Sequence, residues 1–198
     1  MNKLYISMYH YTRDLKHSRY PDIKGLDVSL FRQQIDFFSK NFNVLNMEQV
    51  IDAVEGRSVL PERALLLTFD DGYVDNYMYA FPILEEYKVQ GSFFIPGKTF
   101  DTHQLLDVNK IHYILASANI YELVEAVKKE MDYYRGREYD YAPTEELFAN
   151  YAVANRFDVA ETVFVKRMLQ TVLPEKLRNT ISSNLFKKYV GVTCCLAH

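Results

Sequence analysis

The sequence is short of cysteine: of 198 residues only Cys194 and Cys195 are cysteines, and they are adjacent. Adjacent cysteines build no disulfide framework, and a zinc motif needs its ligands at set spacings. No run of apolar residues approaches the length of a membrane-spanning helix. The opening residues "MNKLYISMYH" carry a lysine, but no continuous apolar stretch and no small-residue cleavage site. They read as a first strand and not as a secretory leader. A large excess of one charge sign is missing as well. The formal net charge is −3, so nothing advertises a surface for nucleic acid or acidic lipid. The expectations that follow are a cytoplasmic chain with no nucleic-acid partner and no membrane span.

What is present is ordinary globular material, 48% hydrophobic and 25% charged, long enough for one sizeable domain. There is no internal repeat and no low-complexity linker. The first hundred residues alternate strand and helix patterns. "LYISMYH" reads as a strand ending near His10. "DVSLFRQQIDFFSKNF" places Leu30, Phe31, Gln34, Ile35, Phe37 and Phe38 at helical spacing, opened by Asp27 or Ser29. A short strand follows at Phe42 to Leu45. Asn46 then caps a helix that stops near Gly56. "ALLLTF" is a third strand, "DNYMYAFPILEEYK" a helix kinked or restarted at Pro82, and "SFFI" a fourth strand.

Strands separated by helices imply a parallel α/β sheet or barrel. From about Asp101 only helical patterns remain. The expected organisation is therefore an α/β part over residues 1–100, a helical insertion over 101–190 and an atypical tail over 191–198. That tail, "GVTCCLAH", holds both cysteines and looks foreign to the helix before it. It reads either as a short disordered end or as a premature or frame-shifted one.

The stretch that carries chemistry is "LLLTFDDGY", Leu65 to Tyr73. A strand buried on both faces ends in two consecutive carboxylates, each of which opposes the ionisation of the other. In parallel α/β architectures, functional groups collect at the C-terminal ends of strands. There one carboxylate can hold a divalent metal while the other takes a proton from metal-bound water, whose pKa zinc lowers to about 7. The plain alternative is a turn in which Asp71 or Asp75 caps the following helix. Sixteen tyrosines suggest surfaces for stacking on sugars, with Tyr9, Tyr11, Tyr20 and Tyr73 near the proposed site, but Tyr77, Tyr87, Tyr133 and Tyr134 fall at positions that simply line helix faces.

"TFDDG" after an apolar strand, with Tyr9-His10 near the end of the first strand, the early "YHYTRD…RYPDIKGL" segment and "GSFFIPG" as the next strand, resembles the polysaccharide deacetylases, the NodB-homology or carbohydrate esterase family 4 group. The resemblance covers roughly residues 1–115. It implies the N-terminal part of a distorted (β/α) barrel and a hydrolase that removes acetyl groups from an acetylated glycan or amino sugar. It further implies Asp70 as catalytic base and Asp71 as ligand of a divalent metal, zinc. His10 and Tyr73 are candidate substrate-binding residues beside them.

The chain departs from the family pattern beyond this motif. None of His10, His17, His103, His112 and His198 has the His-(Ser/Thr)-x-x-His spacing that supplies the other metal ligands, and no Arg-x-Pro-Tyr motif occurs. The terminal "LAH" lacks the apolar strand that precedes the family's late Leu-x-His and reads as coincidence. His10 could face the aspartates across the sheet, whereas His103 and His112 read as structural. These departures imply an incomplete metal site and a chain truncated before the second motif. The alternative functions are an inactive remnant or a fragment that binds glycan or a partner without catalysis. Self-association through open sheet edges is a further expectation.

Overall fold

A computed structural model describes residues 2–102 and 104–191. His103 and residues 192–198, which include both cysteines and most of the atypical tail, lie outside the described residues. The chain divides into two compact units, with the boundary between Thr102 and His103.

The first unit is α/β. Its parallel sheet is built around β5 (Ala64–Asp70), a strand whose residues Ala64 to Phe69 are all buried. One edge of β5 carries β1 (Leu4–Tyr9), paired from Leu4 with Ala64 to Tyr9 with Phe69. The other edge is shared end to end. β4 (Asn43–Leu45) pairs with the first half of β5, and β6 (Ser92–Phe94) with Thr68 to Asp70. Two short strands, β2 (Thr12–Arg13) and β3 (Leu26–Asp27), pair with each other apart from this sheet. The connecting helices are α1 (Val28–Asn41), α2 (Met47–Val54), α3 (Phe81–Tyr87) and α4 (Gly97–Thr102).

The packing partners alternate along β5 with the period of two. Leu65, Leu67 and Phe69 face Phe31 and Ile35 of α1 and Ile83 and Leu84 of α3, while Ala64 and Leu66 pack with Leu45 and with Val50 of α2. Phe69 is the pivot of the first layer, stacked on Tyr9 and Phe93 at centroid distances of 5.1 and 4.7 Å. A Cβ on Gly91 would stand 2.5 Å from the Phe69 ring, so only glycine lets β6 be entered this closely. On the second face Ile6 and Met8 of β1 are exposed. The strands described thus form an open parallel sheet, which meets the expected (β/α) architecture; no closed ring is formed among the described residues.

Helix boundaries follow local chemistry. Asp27 caps α1 by accepting the Ser29 N–H, and Asn46 and Gln49 form a reciprocal capping box on α2. Ahead of α3 the chain makes a π-turn over Asn76–Ala80, closed by the Phe81 N–H donating to the Asn76 carbonyl. Pro82 follows in the first turn of α3. Proline has no N–H to give and crowds the carbonyl four residues back. The widened turn accommodates both demands, and the helix restarts as the sequence suggests.

The described residues of the second unit are mainly helical: α5 (Asp107–Ser117), α6 (Ile120–Tyr134), α7 (Thr144–Tyr151), α8 (Ala160–Arg167) continued by a π-turn over Met168–Val172, and α9 (Glu175–Tyr189). Leu123, Val127, Met131, Phe164, Leu177 and Ile181 have essentially no exposed surface and form its core. No helix among the described residues is long and apolar enough to cross a membrane.

Candidate active site

Strand β5 delivers Asp70 to its C-terminal end, opposite Phe94 of β6 in the register. The Asp70 side chain is about a third exposed, and its Oδ2 lies 4.0 Å from Nε2 of His10, the residue just beyond β1. That separation is an ion-pair distance when the imidazole is protonated and too long for a hydrogen bond. The parallel pairing of β1 with β5, which sets Tyr9 beside Phe69, is what brings His10 alongside Asp70.

Asp71 meets different surroundings. Its backbone enters the left-handed region at φ 71°, followed by Gly72 at φ 62°. Positive φ is uncommon outside glycine, and aspartate is among the few residues that tolerate it. At Gly72 a side chain is excluded twice, by φ and by Ile95, whose Cγ2 would lie 2.9 Å from an added Cβ. The turn ends at Tyr73, whose hydroxyl donates to Oδ2 of Asp71 at 2.6 Å. This is a short, charge-assisted bond.

Tyr73 is fixed in turn. Its ring stacks on Tyr11 with centroids 4.0 Å apart and planes at 20°. Tyr11 is buried, and the Arg13 guanidinium lies over its ring at 4.8 Å. Arg13 Nε donates to Oδ2 of Asp75 at 2.5 Å, with both side chains about nine-tenths buried. Burial, with Tyr11 and the Asp71 carboxylate adding to it, pushes the Tyr73 hydroxyl far above the ordinary tyrosine value, so it stays a donor. Burial also raises the Asp75 carboxyl, and the bond from Arg13 opposes that rise only in part.

Asp75 stands at the N-cap position of the π-turn but makes no side-chain cap bond; its carboxylate serves Arg13 instead. A cavity of about 380 Å³ opens beside His10, lined among others by Tyr9, Tyr11, Lys24 and Gln34. Tyr9 donates to Gln34 Oε1 at 3.0 Å on its wall.

The structure therefore brings together Asp70, Asp71, His10 and Tyr73, the four residues singled out in the sequence. Tyr11 falls near the site in the sequence together with Tyr73, whereas Arg13 and Asp75 are members of the cluster to which the sequence assigns no role there. The one signal available for them was the two-residue spacing common to Tyr11-x-Arg13 and Tyr73-x-Asp75. His17 pairs with Asp14 at the surface, and His112 is carried on α5 in the other unit. Tyr77, on the π-turn, is 71% exposed, so it lines no buried helix face. Catalytic zinc takes three protein ligands and an open position. Among the described residues no group of three or more His, Cys, Asp or Glu side chains converges to hold a metal, so the donors described do not fit such a centre.

Comparison with known proteins bears on the same stretch. Residues 57–133 match the polysaccharide deacetylase family. The poly-β-1,6-N-acetyl-D-glucosamine N-deacetylase of Escherichia coli (strain K12) is 35% identical over 75 residues, 37% of this chain and 11% of that protein. YxkH of Bacillus subtilis (strain 168), which bears the name of a polysaccharide deacetylase, is 47% identical over 38 residues, 19% of this chain and 14% of that protein. Among solved structures, a de-N-acetylase from Aggregatibacter actinomycetemcomitans aligns at a TM-score of 0.45 and 30% identity, covering 52% of this chain and 42% of that one. The matches thus span only a small part of the curated relatives' lengths. The carboxylate pair at the end of β5 falls inside the segment, residues 57–133, that is similar to the polysaccharide deacetylase family.

Proposed function

We propose that the chain acts in hydrolytic removal of acetyl groups from an N-acetylated glycan, with Asp70 as general base. The observation that supports this best is the carboxylate pair itself. Asp70 ends the central strand about one-third exposed, while the neighbouring Asp71 is engaged by Tyr73. One carboxylate is thus open to solvent and the other is held, a division of labour that acid–base chemistry uses.

In this reading a water molecule beside Asp70 attacks the acetamide carbonyl as Asp70 accepts its proton. The tetrahedral adduct collapses as Asp70 returns that proton to the departing nitrogen, so the carbon–nitrogen bond breaks and acetate and the amine are released. His10, 4.0 Å from Asp70, faces the same space and contacts the substrate or the base. An N-acetylglucosamine polymer is the substrate class suggested by the name of the Escherichia coli relative.

Asp71 would be one donor to a zinc ion, but the further donors that a catalytic zinc needs do not converge on it among the described residues. Asp71→Ala tests the assignment. It should lower acetate release from N-acetylglucosamine oligomers by at least a hundredfold, a loss typical of removing a group that acts in the chemistry. In titration calorimetry it should also weaken Zn²⁺ binding. Retained activity in that variant defeats the reading.

A second reading, a glycan-binding chain without turnover, draws on the lack of a three-ligand cluster among the described residues. Saturable oligomer binding in the presence of chelator, with no acetate released by the wild-type protein under any metal, would favour it.

A further inference from the structure

We propose that Tyr73 is a positioning residue for Asp71: its hydroxyl holds the carboxylate through Oδ2, leaving Oδ1 as the working acceptor, and a two-rung clasp holds Tyr73. The inference rests on the deacetylase reading for what Asp71 is used for, and on geometry for everything else.

Asp71 is a short side chain on a left-handed turn beside a like charge at Asp70. Nothing in such a turn fixes the rotation of a carboxylate about its terminal bond, a broad torsion with low barriers. The 2.6 Å bond from Tyr73 supplies that restraint. Its value depends on how firmly the phenol is held, and here both of its side-chain torsions are set by packing.

The first rung of the clasp is Tyr73 on Tyr11, at 4.0 Å between centroids. The second is Arg13 with Asp75, at 2.5 Å. The rungs involve residues two apart on each segment, Tyr11 and Arg13 after β1, Tyr73 and Asp75 after β5. The Arg13 guanidinium over the Tyr11 ring, at 4.8 Å, couples one rung to the other. The clasp therefore ties together the two strand-end segments from which His10 and the aspartates project. An ordinary turn would need only Gly72. A buried ion pair and a half-buried aromatic stack behind one hydroxyl are what orienting a carboxylate beside the base requires, because displacements of an ångström cost about a hundredfold in rate.

Tyr73→Phe tests this, since it keeps the ring on Tyr11 and deletes only the hydroxyl. High-resolution crystal structures of wild type and variant would read the Asp71 rotamer, and kinetics on N-acetylglucosamine oligomers would separate kcat from KM. The expected result is an Asp71 carboxylate no longer held in one orientation, with kcat down ten- to a hundredfold, KM within twofold and an almost unchanged melting temperature. A raised KM with unchanged kcat would mark Tyr73 as a substrate contact and overturn the positioning role. So would wild-type kcat in Tyr73→Phe alongside an inactive Asp71→Ala, an outcome that leaves the deacetylase reading standing. If wild type releases no acetate, the deacetylase reading fails on its own. The Asp71 rotamer then decides: an orientation lost in the variant supports the clasp, and one retained overturns it.

Discussion

At Asp70 the strand ends, and at Asp71 the backbone turns left-handed, so adjacent side chains of one type meet different partners. Asp70 keeps solvent and a distant imidazole; Asp71 gains a phenol donor. This answers the puzzle of two like charges side by side, because a hydrogen bond to one carboxylate offsets part of their mutual repulsion. The pair was legible in the sequence from its place after an apolar strand. Tyr11 and Tyr73 were legible as tyrosines near the site, whereas the Arg13–Asp75 pair was not, because its members lie some sixty residues apart and meet only in the fold. The Arg13–Asp75 pair also sets a stability prediction at this scale. Arg13→Ala leaves a carboxyl with only 7% of its side chain exposed. Stranding a buried charge costs about 3–5 kcal/mol, and a urea denaturation midpoint lowered to match would be the sign of it. A midpoint close to wild type would mean that the pair is solvated.

Among the elements, α1 shows how a helix start was legible. Asp27 preceding an apolar-periodic stretch is a cap signal, and the carboxylate accepts both the N–H and the hydroxyl of Ser29. The Ser29 hydroxyl, and then its N–H, hold the Asp27 carboxyl below its ordinary value of 3.8. The folded state therefore binds this proton less readily than the unfolded chain does. The cap's contribution is fully present above the ordinary value and is lost as pH falls through the lower folded one. An NMR titration should show the Ser29 amide losing protection below pH 3.8, with amides mid-helix at Ile35 following later. Simultaneous loss at both positions would contradict it. The two-residue strands β2 and β3 were illegible for a physical reason: a period of two needs more than two residues to appear. Pro82 signalled its restart correctly, while the widening of the preceding turn is a tertiary accommodation with no residue pattern of its own.

For the whole molecule, the change from alternating strands and helices to helices alone was visible in periodicity, and the chain divides into two units between Thr102 and His103. The match to the deacetylase family, residues 57–133, runs across that boundary. Whether strands close into a ring depends on pairings between distant segments, which local pattern does not encode. The sequence reading accordingly reached the parallel sheet but not its order, in which β5 stands between β1 and the two strands that share its other edge. In the proposed reaction this sheet presents Asp70 as the base. The measurement that tests it most directly is acetate release from N-acetylglucosamine oligomers by the full chain and by Asp70→Asn, with melting temperatures recorded for both. The account predicts turnover by the wild type and a loss of about a hundred- to ten-thousandfold in the variant at unchanged stability. Equal rates from the two proteins would contradict it.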